Sequence, residues 1–188
     1  CENQHGVCAA STKPLSLCSG GAWKPCTDTT YAGHSASYQV GGESACDGLD
    51  NDCNGSVDED FSVTGADGTV YSGINQSCGV GACSGGTTVC TTAKNGIRCT
   101  SAGNASAEVC GGGDDDCDGK TDAADAADLL ANDTRLCEKQ LGLCAGTTKP
   151  AHLCQGGSWG ACVAGTYLSQ RSDYEGDSES SCDGLDND

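Results

Sequence analysis

The sequence predicts small disulfide-rich modules in tandem, mostly irregular or built from β-hairpins, with little helix. Three observations predict this fold class. The chain of 188 residues has 17 cysteines and 29 glycines but one Phe and no Met. Its cysteines recur in a fixed order, and clusters of aspartate accompany them, as in DGLDNDCNGSVDED at 47–60. Because so few large apolar residues cannot build a sizeable core, stability must come from disulfides, bound metal or both.

Composition and charge exclude several classes of function. Lys and Arg number 9 against 27 Asp and Glu, a formal net charge of −18. Nucleic-acid binding needs the opposite sign, so we expect no nucleic-acid partner. No apolar run approaches the 18 or so residues of a membrane span, so we expect none. Cysteine at this density is typical of an oxidising compartment, which predicts an extracellular or cell-surface protein.

An internal repeat organises the chain. Residues 1–52 align with 137–188 without a gap, and about half of the positions are identical. A shorter version of the same unit runs from Cys78 to Asp122. The first two modules have six cysteines each and the third has five. The alignment places another cysteine directly after Asp188, so we expect the odd count to reflect truncation; a free reactive thiol is the alternative.

The repeat predicts five segments. They are a long module at 1–59, a hairpin linker at 60–77, a short module at 78–122, a helical linker at 123–136 and a second long module at 137–188, truncated in its acidic loop. The linker hairpin turns at Asp67-Gly68, a pair that favours tight turns. Residues 122–131 are rich in alanine and predict the one helix. Each module is too small to bury a core alone, so we expect contacts mainly between neighbours.

The aspartate clusters follow the ligand spacing of an EF-hand calcium loop. Such loops place oxygen ligands at positions 1, 3, 5, 7 and 9, a glycine at 6 and an acid at 12. The first loop offers Asp50, Asp52, Asn54, the Ser56 carbonyl and Asp58. The second offers Asp114, Asp116, Asp118, the Lys120 carbonyl, Asp122 and, at position 12, Asp125. The third shows Asp186 and Asp188.

This spacing lets every second side chain converge on one ion. An all-oxygen ligand set favours a hard cation, and flexible carboxylates suit Ca²⁺ better than Mg²⁺. We therefore predict EF-hand-like calcium loops, with calcium as the cofactor; solvated acidic turns are the alternative. The first loop has Phe61 at position 12, so Glu59, Asp60 or water must take that place.

Disulfide pairing is open at this level, because six cysteines allow 15 connectivities. We favour closure within each module. On that scheme Cys46–Cys53 and Cys110–Cys117 close the start of each acidic loop, and Cys18–Cys26 and Cys90–Cys99 cross the hairpins.

The segment CDGLDNDCNGSVDE at 46–59 closely resembles the metal-binding motif of MopE-like bacterial secreted proteins, and the loop alone resembles thrombospondin calcium repeats. The resemblance covers all three modules, although the second has GGGDDD at 111–116 in place of DGLDND. It implies a secreted or surface protein without established catalytic activity. The family name is associated with copper, which prefers histidine or soft ligands. Because His5, His34 and His152 do not recur between the modules, copper is not carried over.

The remaining signals are weaker. No Ser–His–Asp, Cys–His or paired-carboxylate arrangement is present, so we expect no enzyme. The aromatic residues that recur in both long modules are interpreted as small cores, with a sugar-stacking face as the alternative; they are Trp23, Tyr31 and Tyr38, and Trp159, Tyr167 and Tyr174. Four N-x-S/T sequons, at Asn54, Asn75, Asn104 and Asn132, are potential glycan sites.

Together these features predict a calcium-stabilised, disulfide-stapled repeat segment of an extracellular structural protein, such as a stalk, fibre or filament. Its partners would be further copies, through self-association, or adjacent repeats of the same chain. The alternative is a calcium-dependent adhesion or carbohydrate-binding module.

Overall fold

The computed structural model describes residues 1–176, 178–180 and 186–187. The chain divides into two compact units, the first made of residues 1–79 and 84–103 and the second of residues 80–83 and 104–188. Small antiparallel sheets, short helices and irregular loops make up both units, and seven disulfides crosslink the described chain. This confirms the predicted fold class of small disulfide-rich modules.

The first unit contains three antiparallel sheets and one α-helix. Its elements are β1 (Cys18–Ser19), β2 (Ala22–Trp23), α1 (Asp28–His34), β3 (Ser62–Thr64), β4 (Val70–Ser72), β5 (Ser77–Cys78), β6 (Gly86–Cys90) and β7 (Ile97–Cys99). Strands β1 and β2 pair with each other, as do β3 and β4, and β6 pairs with both β5 and β7. The β3–β4 hairpin lies where the linker hairpin is predicted.

In its described residues, the second unit contains two α-helices and one hairpin. Its elements are α2 (Ala126–Asn132), β8 (Cys154–Gln155), β9 (Ser158–Trp159) and α3 (Ala164–Gln170). A 3₁₀ turn at Asp122–Asp125 leads directly into α2, so the predicted helix is present but tighter in its first turn. Leu129 of α2 is fully buried against Ala151 and Cys154, which fixes this helix on the hairpin.

The helices α1 and α3 are absent from the prediction. Their sequences, DTTYAGH and AGTYLSQ, contain glycine and threonine, which are poor helix formers. Tertiary packing stabilises them instead, because each turns one tyrosine into the core of its module. Tyr31 packs beside Tyr38 and Tyr167 beside Tyr174, with ring centroids 5.5 and 5.2 Å apart. The interpretation as module cores is confirmed for these tyrosines, whereas Trp23, which is 51% exposed, lies outside the core.

Two classes of disulfide staple the modules. Five close within a module: Cys1–Cys26, Cys8–Cys53, Cys78–Cys99, Cys83–Cys117 and Cys137–Cys162. Two others, Cys46–Cys90 and Cys110–Cys154, join an acidic loop to the hairpin of the module that follows it. Each of the two has a sequence separation of 44 residues.

All four favoured disulfide pairs are wrong. In the hairpins, Cys18 lies opposite Trp23, and Cys90 lies opposite Ile97, so neither faces the cysteine assigned to it. In the acidic loops, Cys53 and Cys117 face their own module, where they bond to Cys8 and Cys83, whereas Cys46 and Cys110 bond to the next module. Closure within each module therefore holds for only part of the pairing.

No helix of the described chain combines the length and the apolar character that crossing a membrane requires.

Candidate metal-binding loops

In the second acidic loop, five carboxylates form one cluster. Oxygens of Asp114, Asp116 and Asp118 lie within 4.8 Å of one another, and so do oxygens of Glu108, Asp116 and Asp125. Because Asp116 belongs to both groups, the two are continuous. The structure therefore brings together the predicted side chains at positions 1, 3, 5 and 12 of the loop.

Two oxygens of this cluster are buried and have no hydrogen-bond partner in the described chain. They are Asp114 Oδ1 and Asp125 Oδ2, on side chains of residues that are only 9% and 4% exposed. Burial raises the pKa of Asp125, and the carboxylates of Asp128, Asp118 and Asp116 raise it further. A buried acceptor without a donor is costly, and a bound cation would satisfy both oxygens.

Lys120 provides the only ammonium beside this cluster in the described chain. Its Nζ pairs with an oxygen of Asp118 and lies 3.9 Å from Asp125 Oδ1. The hydrogen bond from Lys120 lowers the pKa of the Asp118 carboxyl. One half-exposed ammonium cannot neutralise five carboxylates, so a large negative charge stays at the site.

The backbone explains why alternate side chains turn inward. In the second loop, Asp114 Oδ2 accepts from the Gly119 amide at 3.1 Å, and Asp118 Oδ1 accepts from the Lys120 amide at 2.8 Å. The first loop repeats both bonds at the same positions, from Gly55 to Asp50 at 3.0 Å and from Ser56 to Asn54 at 2.9 Å. These bonds bend the chain around the glycine, as the spacing predicts. Use of the Ser56 and Lys120 carbonyls as ligands stays a prediction.

In the first loop, which has no acid at position 12, the two acids before Phe61 lie beside Asp52. Oxygens of Asp52, Glu59 and Asp60 lie within 4.8 Å of one another, and Glu59 Oε2 is buried without a partner in the described chain. Asn54 donates its side-chain amide to both Asp52 and Glu59. Both acids considered for the place of Phe61 therefore lie at the cluster.

Asp58 and Asp122 correct the predicted ligand set. The Asp58 side chain is fully buried and accepts from the amides of Asp47 and Gly48 at 2.9 and 2.8 Å. Asp122 accepts from the amides of Gly112 and Gly157, both at 3.0 Å. Backbone amides engage both oxygens of each carboxylate, and neither side chain belongs to a cluster of carboxylates.

The same two carboxylates lie against the disulfides that join modules. Asp58 Oδ2 is 3.5 Å from Cys90 Sγ, and Asp122 Oδ1 is 3.1 Å from Cys154 Sγ. Since both sulfurs are in disulfides, they are not metal-binding thiolates. Position 9 of the first and second loops thus belongs to the junction with the next module.

A buried glutamate that the spacing does not predict supports each loop from outside. Glu43 accepts from the Asn51 amide at 2.7 Å, and Glu108 accepts from the amides of Asp115 and Asp122, both at 3.0 Å. Burial, with the carboxylates of Glu59 and Asp58, raises the pKa of Glu43 to about 7. The signal in the sequence is a glutamate two or three residues before the first cysteine of the C-x6-C pair that flanks each of these two acidic loops, Cys46–Cys53 and Cys110–Cys117.

The third loop is described only in part. The carbonyl of Asp186 accepts from the Leu143 amide at 2.9 Å, which is the contact that the carbonyls of Asp50 and Asp114 make with Val7 and Ala82. Asp188 lies outside the described residues.

A glycine in each module makes this contact sterically possible. Gly6, Gly81 and Gly142 have φ of +48°, +52° and +50°, and a Cβ on any of them would overlap the first aspartate of the loop. The backbone of each module therefore packs directly on the start of its acidic loop.

Gly81→Ala should displace Asp114, weaken metal binding by the second loop and destabilise the second unit. Gly85→Ala is the matched control, since Gly85 also has a positive φ, +83°, but a Cβ there meets nothing within 4 Å. Both variants carry the left-handed backbone penalty of about 1 kcal/mol. Urea unfolding and calcium titration should show a larger loss for Gly81→Ala, and equal losses would contradict the packing role.

The fold and the loops define a class: a disulfide-rich tandem-repeat protein with acidic loops built like metal-binding loops. The family model Cu-binding_MopE, described as a "putative metal-binding motif", matches the chain at 37–59, 102–123 and 171–188. The chain thus carries three copies of the motif of this family, which confirms the resemblance. Neither the comparison with curated proteins nor that with solved structures gives a match.

Proposed function

We propose that this chain is a calcium-stabilised, disulfide-stapled repeat segment of an extracellular structural protein, and that it has no catalytic activity. The observation that carries the proposal is the pair of buried, unpartnered carboxylate oxygens on Asp114 and Asp125 inside a cluster of five acids. A cation is the one kind of partner that satisfies these oxygens and the surrounding charge together.

The donor chemistry supports calcium over copper. The clusters of both loops offer carboxylate oxygens, which hard cations prefer, whereas copper prefers imidazole and soft sulfur. His5 lies beside Gly55 of the first loop, but the repeat places a leucine, Leu141, at the equivalent position of the third module. Copper is the ion in the family model's name, and it is the competing outcome in the test.

A structural role follows from the position of the loops. Each loop that carries a carboxylate cluster also carries the cysteine and the aspartate that contact the next module. An ion that orders the loop would therefore order the junction as well. The disulfides support an oxidising, extracellular compartment.

The alternative is a calcium-dependent adhesion or carbohydrate-binding module. The observation that favours it is Trp23, which is 51% exposed on a two-stranded hairpin and is available for stacking on a sugar.

Calorimetry with Ca²⁺, Mg²⁺ and Cu²⁺ tests the ion, and limited proteolysis with and without EGTA, disulfides intact, tests the role. We expect calcium binding with a Kd of about 10⁻⁴–10⁻³ M, the usual range of extracellular modules. We also expect EGTA to expose loop cleavage sites without releasing the crosslinked core. Tight copper binding without calcium binding would overturn the metal assignment. Glycan binding by dispersed monomers, with no filaments in negative-stain images, would support adhesion instead.

A further inference from the structure

Two hairpins with the same design have different surroundings. In β1–β2 and in β8–β9 the cysteine of the first strand lies opposite the tryptophan of the second, Cys18 opposite Trp23 and Cys154 opposite Trp159. Two glycines form the turn in both. The hairpins occupy equivalent positions of the two long modules, so a difference in their exposure reports what covers each of them.

The β8–β9 hairpin is covered by the module that precedes it. Cys154 is completely buried and bonded to Cys110, and the Gly157 amide donates to Asp122 at 3.0 Å. Trp159 Nε1 donates to Asp133 at 3.2 Å, beyond the end of α2. The acidic loop and the helix behind it therefore form one docking partner for this hairpin.

The β1–β2 hairpin presents the equivalent residues uncovered. Cys18 is an exposed free thiol, and Leu15 and Trp23 are 84% and 51% exposed. A Cβ built on Gly21 meets nothing within 4 Å, whereas one on the equivalent Gly157 comes within 2.8 Å of the Gly111 carbonyl oxygen. We call Leu15, Cys18, Gly21 and Trp23 the open hairpin face.

We propose that the open hairpin face docks the acidic loop and following helix of a further module of this repeat, joined ahead of the first module in the same polypeptide. Cys18 then forms a disulfide with the first cysteine of that module's C-x6-C pair. Both loops of the described chain support this occupant, because each pairs the same cysteine with the hairpin of the module that follows it.

The residues of the open hairpin face require a cysteine and an aspartate at a fixed spacing in the partner loop. The incoming loop must present a cysteine followed twelve residues later by an aspartate, as Cys46 and Asp58 do, and as Cys110 and Asp122 do. The cysteine bonds to Cys18, and the aspartate accepts from the turn amide of Gly21. The helix after the loop covers Leu15 and Trp23, as α2 covers Ala151 and Trp159.

Disulfide formation needs a small disulfide oxidant, such as oxidised glutathione. The Cys18 thiolate attacks one sulfur of the oxidant, forming a mixed disulfide and releasing one reduced thiol. The thiolate of the incoming cysteine then attacks the Cys18 sulfur and releases the second. Two cysteine thiols are thereby oxidised, one small disulfide is reduced to two thiols, and the protons pass to the products or to water.

The test is an extended chain in which a second copy of 61–136 precedes Cys1, so that the first long module follows the short module as the third one does. The added copy carries Cys90→Ser, because Cys46, the disulfide partner of Cys90, is not copied with it. After refolding in a glutathione buffer, we expect Cys110 of the added copy to be linked to Cys18 in non-reducing peptide maps. Alkylation of Cys18 should be lost, and the fluorescence of Trp23 should shift to shorter wavelength.

Two glycine variants of the extended chain provide a test and its matched control. Gly21→Ala should block the new disulfide, because the equivalent Cβ on Gly157 would press on Gly111. Gly20→Ala should leave it intact, because the equivalent Gly156 has nothing within 4 Å, although both glycines have a positive φ.

The inference rests on the repeat architecture of the proposed function but not on the identity of the ion. A Cys18 that stays open to alkylation in the extended chain would overturn it, and so would a Cys18-linked dimer of extended chains. Calcium titration of the same sample separates the two proposals, since the loops can bind calcium whether or not the open hairpin face is occupied.

Discussion

The double substitution Asp114→Asn plus Asp125→Asn should remove metal binding from the second loop. It should also raise the stability of the metal-free protein. Without an ion, the two buried carboxylates repel their neighbours, and neutral amides relieve that repulsion. In the presence of calcium, the two substitutions should weaken ion binding by at least about a hundredfold. The reason is that a single pair of charges 4 Å apart is worth about 4 kcal/mol at an effective dielectric of about 20. Urea unfolding in EGTA measures the gain in stability without the ion, and urea unfolding in calcium measures the loss of stabilisation by the ion.

Asp115→Asn is the matched control for this pair. It removes the same kind of charge from the same loop, but Asp115 is outside the carboxylate cluster, and its contribution is a backbone amide that donates to Glu108. We expect it to bind calcium nearly as well as the unaltered chain. If the double variant loses stability in EGTA and keeps its calcium affinity, the second loop is a solvated turn held by its own hydrogen bonds.

The sequence predicts most of the second loop's carboxylate cluster because the geometry is local, whereas in the first loop Asp52 alone of the predicted ligands belongs to the cluster, beside Glu59 and Asp60. Alternation within a short loop, with a bend at Gly119, is enough to bring Asp114, Asp116 and Asp118 together. Glu108 joins the same cluster from outside the loop, and only the folded path of the chain brings it there. A ligand spacing therefore finds the residues of one turn and misses those that approach from elsewhere.

The misassigned aspartates show the limit of the same reasoning. Spacing places Asp58 and Asp122 on the ion, but a carboxylate beside unpaired backbone amides has a second use. Asp122 accepts one bond from its own module and one from Gly157 of the next, and that choice depends on the neighbouring hairpin. The same cause explains the disulfide errors, since the partners of Cys46 and Cys110 are 44 residues away.

The double substitution Cys110→Ser plus Cys154→Ser should destabilise the second unit more than the loss of any other single disulfide in that unit. This disulfide closes a span of 44 residues, and the loop-entropy model assigns such a span about 4 kcal/mol. The buried disulfide also packs against Leu129 and Ala151, so its removal disturbs the packing of α2 on the β8–β9 hairpin. The measurement is urea unfolding under non-reducing conditions, followed by tryptophan fluorescence, because Trp159 lies at this junction.

Cys18→Ser is the control, since Cys18 is an exposed free thiol and its replacement should change stability by less than about 0.5 kcal/mol. Non-reducing peptide mapping of the unaltered chain tests the disulfide pairing on which this prediction depends. A peptide that links Cys110 to Cys154 is required, whereas one that links Cys110 to Cys117 would leave a crosslink of only a few residues. Such a short crosslink constrains the unfolded chain much less, so the double variant would then lose little stability. The junction would depend on the packing of α2 and on the hydrogen bonds to Asp122 and Asp133.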